Sequence, residues 1–205
     1  ERGALLRVPD AYMEKIAIGP GYPDGIVDLD KTATENVAAL ARAKGVATAD
    51  IVTCVLDRPR HEAIIAGLRE VGCRIALITD GDVAGVIATT DPQTGIDFYV
   101  GSGGAPEGVL AAAALKCVGG QMFARLVFRN DDEKKRATRV GITDFGRTYS
   151  LNELASGDTV FCATGVTSGS LLSGVKYAGG RVHTHTLVMT SIDGMVRHVR
   201  SDRKV

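Results

Sequence analysis

Gly103-Gly104-Ala105-Pro106-Glu107-Gly108 decides the fold, because it joins a strand pattern directly to a helix pattern. Before it, Ile96-Asp97-Phe98-Tyr99-Val100 is short, β-branched and aromatic, and closes on glycines, as a buried strand does. After it, Val109 to Leu115 is nearly all Ala, Val and Leu, which suits a helix packed against a sheet. Pro106 belongs in a first helical turn, where its missing N–H is not needed. Glu107 then places a carboxylate at the helix start. The helix dipole alone favours such a residue by about 0.3–1 kcal/mol. A carboxylate at that turn also suits a metal or a polar substrate, and repetition of the motif along the chain favours the second reading.

Working outward, Ile51-Val52-Thr53-Cys54-Val55-Leu56 reads as a strand entering Asp57-Arg58-Pro59-Arg60-His61, then a helix with Ile64, Ile65, Leu68 and Val71 on one face. Cys73-Arg74-Ile75-Ala76-Leu77-Ile78 reads as a strand ending in Thr79-Asp80-Gly81-Asp82, followed by a short helix from Val83 to Ala88. Thr159-Val160-Phe161-Cys162-Ala163 is assigned to the same alternation, running through Thr164-Gly165-Val166-Thr167-Ser168-Gly169 into Ser170-Leu171-Leu172. Strands alternating with helices predict an α/β fold: a layered sandwich with a mainly parallel sheet. Ligands in such sheets bind beyond the carboxyl ends of the strands, and the polar clusters all fall there.

Those clusters have a definite chemistry. Arg58 and Arg60 straddle Pro59, which holds their segment extended, so two guanidiniums could grip a phosphate. As a plain alternative, an Arg-rich loop is solvated surface. Asp80 and Asp82 flank Gly81, which allows a tight turn; they are either turn and N-cap residues or acceptors for sugar hydroxyls. Together the groups point to a phosphorylated polyol.

The 205 residues carry 24 Lys plus Arg against 24 Asp plus Glu, so no broad basic field invites nucleic acid. No apolar run approaches the roughly 20 residues that span a bilayer, and no signal or lipidation pattern is present. Cys54, Cys73, Cys117 and Cys162 lack metal-type spacing and read as reduced, buried, structural thiols in a cytoplasmic protein. Gly19 to Gly25 reads as a turn-rich connection, and Arg129 to Arg139 as an exposed charged helix or loop to which no function attaches. Val182 to Thr190 and Val196 to Val199, around Asp193-Gly194, predict an antiparallel hairpin with His183 and His185 on one face. Without a carboxylate cluster beside them, that pair is weak as a metal site.

Tyr12-Met13-Glu14-Lys15, Arg58-Pro59-Arg60-His61, Asp80-Gly81-Asp82, the Gly103–Gly108 turn and Ala163-Thr164-Gly165-Val166-Thr167 occur in an order that closely resembles the class II (GlpX-type) fructose-1,6-bisphosphatases. Asp202-Arg203-Lys204 is similar to that family's tail. The resemblance implies the fold of the lithium-sensitive sugar and inositol phosphatases. It implies a divalent-metal-dependent phosphatase of gluconeogenesis, a homo-oligomer, acting on fructose 1,6-bisphosphate, with members that also accept sedoheptulose 1,7-bisphosphate. By that similarity Glu107 is a metal ligand for Mn2+ or Mg2+, Gly104 lies where backbone approaches substrate, and Arg58, Pro59 and Arg60 bind phosphate. Asp80, Gly81 and Asp82 contact the sugar, and Tyr12 is an aromatic contact. No residue is assigned as the catalytic group that positions water.

The resemblance covers residues 1–205 as the later, C-terminal portion of the family sequence. The earlier portion, which in the family supplies most metal-binding carboxylates, has no counterpart here, so the phosphatase expectation belongs to the parent assembly. A non-catalytic sugar-phosphate-binding module and a structural half-domain pairing through an exposed sheet edge are the alternatives.

Overall fold

The computed structural model describes residues 3–205. Its first half runs β1 (Tyr12–Ile18), α1 (Ala33–Lys44), β2 (Val52–Leu56), α2 (Glu62–Glu70), β3 (Arg74–Ile78), α3 (Asp82–Ala88), β4 (Phe98–Gly104), α4 (Ala105–Val118) and β5 (Gln121–Val127), and the alternation from β2 to α4 is the one the sequence predicts. There follow α5 (Asp131–Arg139), β6 (Thr148–Ser150), α6 (Leu151–Leu154), β7 (Val160–Thr164), β8 (Lys176–Ala178), β9 (Arg181–Thr190) and β10 (Val196–Lys204).

One sheet has the order β3-β2-β4-β1-β5-β6. Strand β2 is parallel to β3 and β4, while β1 is antiparallel to both β4 and β5 and β6 is antiparallel to β5. Hence β2, β3, β4 and β5 share one direction, and β1 is an opposed strand inserted in their midst. Period-2 alternation along β1 feeds two cores. Ile16 and Ile18 join Val55, Phe98 and Val100 against α1 and α2 on one face. Met13 and Ala17 join Tyr99, Ala112 and Leu115 on the other, beneath α3 and α4. Helix α4, apolar on nearly every side, has the composition of a wholly enclosed helix. It packs on the first sheet with one side and on β7 and β9 with another. The order of layers is therefore α1/α2, six-stranded sheet, α3/α4, second sheet.

The second sheet, β10-β9-β7 with β8 also on β9, is antiparallel throughout, and its β9–β10 hairpin is the one the sequence predicts. The strand–helix alternation does not extend to β7: no helix follows it at Ser170–Leu172. Glycines explain this. A Cβ on Gly165 would lie 2.2 Å from the carbonyl oxygen of Ser173, and one on Gly174 would lie 2.6 Å from backbone atoms of Thr167 and Ser168. The loop folds back upon itself so closely that only glycine fits at its two ends. Of the four thiols, Cys54, Cys73 and Cys117 are buried as expected, but Cys162 is exposed. It sits on β7 with its side chain on the solvent side of a sheet covered on one face only. No helix among the described residues is long and apolar enough to cross a membrane.

Candidate active site

Strand direction assembles the site. Because β2, β3 and β4 run together, their carboxyl ends deliver the Arg58–Arg60 segment, the Asp80–Asp82 turn and Gly103–Gly104 to one rim. Because β1 is opposed, it is its beginning that lies there: Tyr12 pairs with Gly104 on one side and with Val127 on the other. The resulting cleft of about 260 Å³ is lined by Tyr12, Leu56, Arg58, Arg60, Asp80, Gly81, Asp82, Gly103, Gly104 and Glu107. Every residue singled out from the sequence for a site is present except Pro59, which shapes the loop from behind. Arg58 is extended as a residue before proline should be, but the extended segment expected from the sequence stops there: Pro59–His61 closes into a single 3-10 turn.

The cationic side is held from below. Arg60 donates from Nε to the carbonyl oxygen and hydroxyl of Ser102 (3.1 and 3.0 Å), and from Nη2 to the same carbonyl (2.7 Å). Its remaining N–H groups are left for a ligand. Arg58 Nη1 donates to the carbonyl of Asp57 at 2.8 Å. The Arg60 guanidinium lies 5.1 Å from the centre of the Tyr12 ring, and Arg129 lies 5.0 Å from the same ring. Tyr12 is thus gripped by two cations. Arg129 is itself pinned by Glu133, through Nε at 2.7 Å and Nη2 at 2.5 Å.

His61 supports the phosphate loop. Buried at 2 % exposure, it donates from Nδ1 to the Leu56 carbonyl (2.8 Å) and accepts the Ser102 N–H at Nε2 (2.8 Å). Burial, with the charges of Arg60 and Arg58 behind it, lowers its pKa below the usual imidazole value. A proton at Nε2 would turn that acceptor into a donor facing another donor. Since the folded pKa lies below the unfolded one, near 6.5, this contribution is complete above that pH and declines as pH falls below it. Thermal midpoints measured from pH 8 to pH 5 should show an acid limb that flattens in His61→Phe. An identical limb in that variant would assign it to other groups.

The anionic side is built on helix starts. Gly81, at φ 82° and ψ 55°, is the residue before α3 and takes a left-handed conformation that suits glycine. Asp80 accepts its own neighbour's N–H (2.7 Å). Asp82 is tied to Lys15 Nζ at 2.5 Å, and Lys15 also reaches the Gly104 carbonyl at 3.4 Å. Beneath them Tyr99 is fully buried, and burial and the charge of Asp82 raise its hydroxyl well above its ordinary pKa. Glu107, in the first turn of α4, folds its carboxylate back over Gly104, where a Cβ would meet Oε2 at 2.0 Å.

As a donor set for a divalent ion the described residues are incomplete. Glu107 and Asp80 are available oxygen donors, but Asp82 is engaged with Lys15, and no group of three or more His, Cys, Asp or Glu among the described residues is placed to hold a metal. On the hairpin, His183 pairs with Asp202, and His185 Nε2 donates to His198 Nδ1 at 3.0 Å. That histidine face is used within the sheet.

Lys15, His61, Ser102 and Arg129 belong to the site's framework and have no assigned role in the sequence reading. Lys15 was the most legible of them. It occupies the face shared by Met13 and Ala17, where period-2 alternation calls for an apolar side chain.

The family model for glpX-encoded bacterial fructose-1,6-bisphosphatase matches residues 1–203. A protein of Synechococcus sp. (strain RCC307) named D-fructose 1,6-bisphosphatase class 2/sedoheptulose 1,7-bisphosphatase is 39% identical over 211 residues, covering 96% of this chain and 63% of the relative. Proteins of the same name from Trichodesmium erythraeum (strain IMS101) and Synechocystis sp. (strain ATCC 27184 / PCC 6803 / Kazusa) are each 38% identical, covering 97% of the chain and 61% of the relative. The chain thus spans about six-tenths of the length of the curated relatives it matches.

Proposed function

This chain belongs to the glpX-encoded bacterial fructose-1,6-bisphosphatase family, and we propose that it forms the substrate-binding part of a metal-dependent sugar bisphosphatase. The reaction is hydrolysis of the 1-phosphate of fructose 1,6-bisphosphate to fructose 6-phosphate and phosphate; sedoheptulose 1,7-bisphosphate, with the same phosphate and run of hydroxyls, is the alternative or additional substrate. The observation that carries this reading is the convergence of Arg58 and Arg60 with Asp80, Asp82 and Glu107 on one cleft.

Arg58 and Arg60, on the loop shaped by Pro59, bind phosphate, and Tyr12 walls the cleft beside them. Asp80 and Asp82 accept sugar hydroxyls, while Gly81 and Gly104 let the backbone approach. Held at the phosphate and along the hydroxyls, the substrate has little freedom left to misalign its scissile bond. Glu107 is one carboxylate ligand to Mn2+ or Mg2+, either of which oxygen donors suit. With the remaining ligands supplied from outside the described residues, such an ion would contribute activation of water and neutralisation of phosphoryl charge. We infer a cytoplasmic homo-oligomer from the family.

Arg60→Ala should weaken fructose 1,6-bisphosphate binding by roughly 10- to 100-fold, as loss of a charged hydrogen-bond donor does. Unchanged binding would remove the arginine loop from the site. The incomplete donor set favours one second reading, a sugar-phosphate-binding module without turnover. Phosphate release from the bisphosphate by the purified protein of measured intact mass, with and without Mn2+, separates the two. Metal-dependent release supports the phosphatase; binding without release supports the module; neither binding nor release sinks both.

A further inference from the structure

Lys15 is hard to account for by stability. Its side chain is wholly buried at the centre of the sheet, its Nζ 2.5 Å from Asp82 Oδ2. Taking an ammonium out of water costs several kcal/mol, and replacing a buried ion pair by apolar side chains of similar size is often neutral or stabilising. A methionine would fill the same space. Gly103 nevertheless leaves room for the carboxylate of this pair: a Cβ there would lie 2.4 Å from Asp82 Oδ2. At Gly108 a Cβ would collide with Met13 Sδ at 2.5 Å and only touch Lys15 Nζ at 3.5 Å.

What the pair does is directional. Asp82 opens α3 and lines the cleft, with its side chain 11% exposed. Lys15 holds Oδ2, and Oδ1 makes no hydrogen bond among the described residues. The second bond of Lys15, to the Gly104 carbonyl, ties the Asp80–Asp82 turn to the residue before α4. We propose that Lys15 is a positioning residue of the cleft: it fixes the orientation of Asp82 so that Oδ1 receives a sugar hydroxyl, while the arginine loop receives phosphate. This rests on the sugar-bisphosphate reading above.

The consequence is a split that a packing role would not produce. Inorganic phosphate needs only Arg58 and Arg60; fructose 1,6-bisphosphate needs Asp82 as well. Titration calorimetry on the full protein and on Lys15→Met should show bisphosphate affinity falling about 10-fold, the worth of one charge-assisted hydrogen bond, with phosphate affinity unchanged. The Asp82 carboxylate left behind has the cleft to turn into, so this variant should melt cooperatively. Lys15→Gln, which keeps a donor for Asp82, should recover part of the loss. Unchanged bisphosphate affinity in a folded variant, or an equal fall for both ligands, overturns the assignment. Failure of both variants to fold also overturns it, placing Lys15 in the core alone. A wild-type protein that binds phosphate but prefers no sugar bisphosphate would refute the underlying site reading instead, and would show it before any variant is made.

Discussion

Replacing Asp82 by alanine should cost the fold about 3–5 kcal/mol, the range for stranding one member of a buried ion pair. The asymmetry of the pair makes the effect large. Lys15 is 0% exposed and Asp82 11%, so the carboxylate has a way to water and the ammonium has none. With Asp82 gone, Lys15 retains only the 3.4 Å contact to the Gly104 carbonyl. Its options are to lose its proton or to drag water into the core beside Met13 and Tyr99. Urea denaturation followed by circular dichroism would read the loss. The double variant Lys15→Met/Asp82→Asn removes both charges together and should recover most of it, leaving a deficit of about 1–2 kcal/mol from imperfect packing. A double variant as unstable as Asp82→Ala would show that the damage lies in the α3 start and not in the orphaned charge.

The strand-to-helix units were legible because each carries its own local signals. Strand β4 and helix α4 are told apart by composition on either side of Gly103–Gly108, and β2 and β3 end in turn residues. From parallel strands, the convergence of Arg58, Asp80 and Glu107 follows as geometry. Two matters were not legible. The direction of β1 is set by pairing partners more than eighty residues away in sequence, Gly104 and Val127, and nothing within Tyr12–Ile18 encodes it. Yet that direction is what places Tyr12 at the cleft. Strand β7 shows the opposite failure: its strand signal was sound, but its partner is β9 in a separate antiparallel sheet, so the helix inferred after it was analogy with the earlier units. Framework residues such as Ser102 and Arg129 escaped for a related reason. Their roles consist of contacts with Arg60 and Tyr12 that arise only after folding.

Gly103 and Gly104, adjacent in the chain, should respond to alanine in opposite ways, and that contrast tests the role of Glu107. Gly104 has φ −59° and ψ 140°, a conformation open to any residue, so alanine brings no backbone strain there. Its Cβ would instead lie 2.0 Å from Glu107 Oε2, at the far end of an exposed, flexible side chain. Glu107 can swing away, and the smaller entropy of the unfolded alanine chain offsets the loss, keeping stability within about 1 kcal/mol of wild type. The swing removes the carboxylate from the position proposed for metal binding. Metal-dependent turnover in the full protein should therefore fall at least about 100-fold, no less than when a residue that merely orients a ligand is lost, and Glu107→Gln should match it. At Gly103 the colliding atom is Asp82 Oδ2, at 2.4 Å, and that oxygen is held by Lys15. It can turn away into the cleft only by leaving the buried ammonium of Lys15 unpaired, so Gly103→Ala should lower the melting temperature as well as activity. Full metal-dependent turnover in Gly104→Ala or Glu107→Gln would remove Glu107 from the metal site. Equal destabilisation by the two alanines would mean that the turn itself, and not the carboxylates above it, requires the glycines.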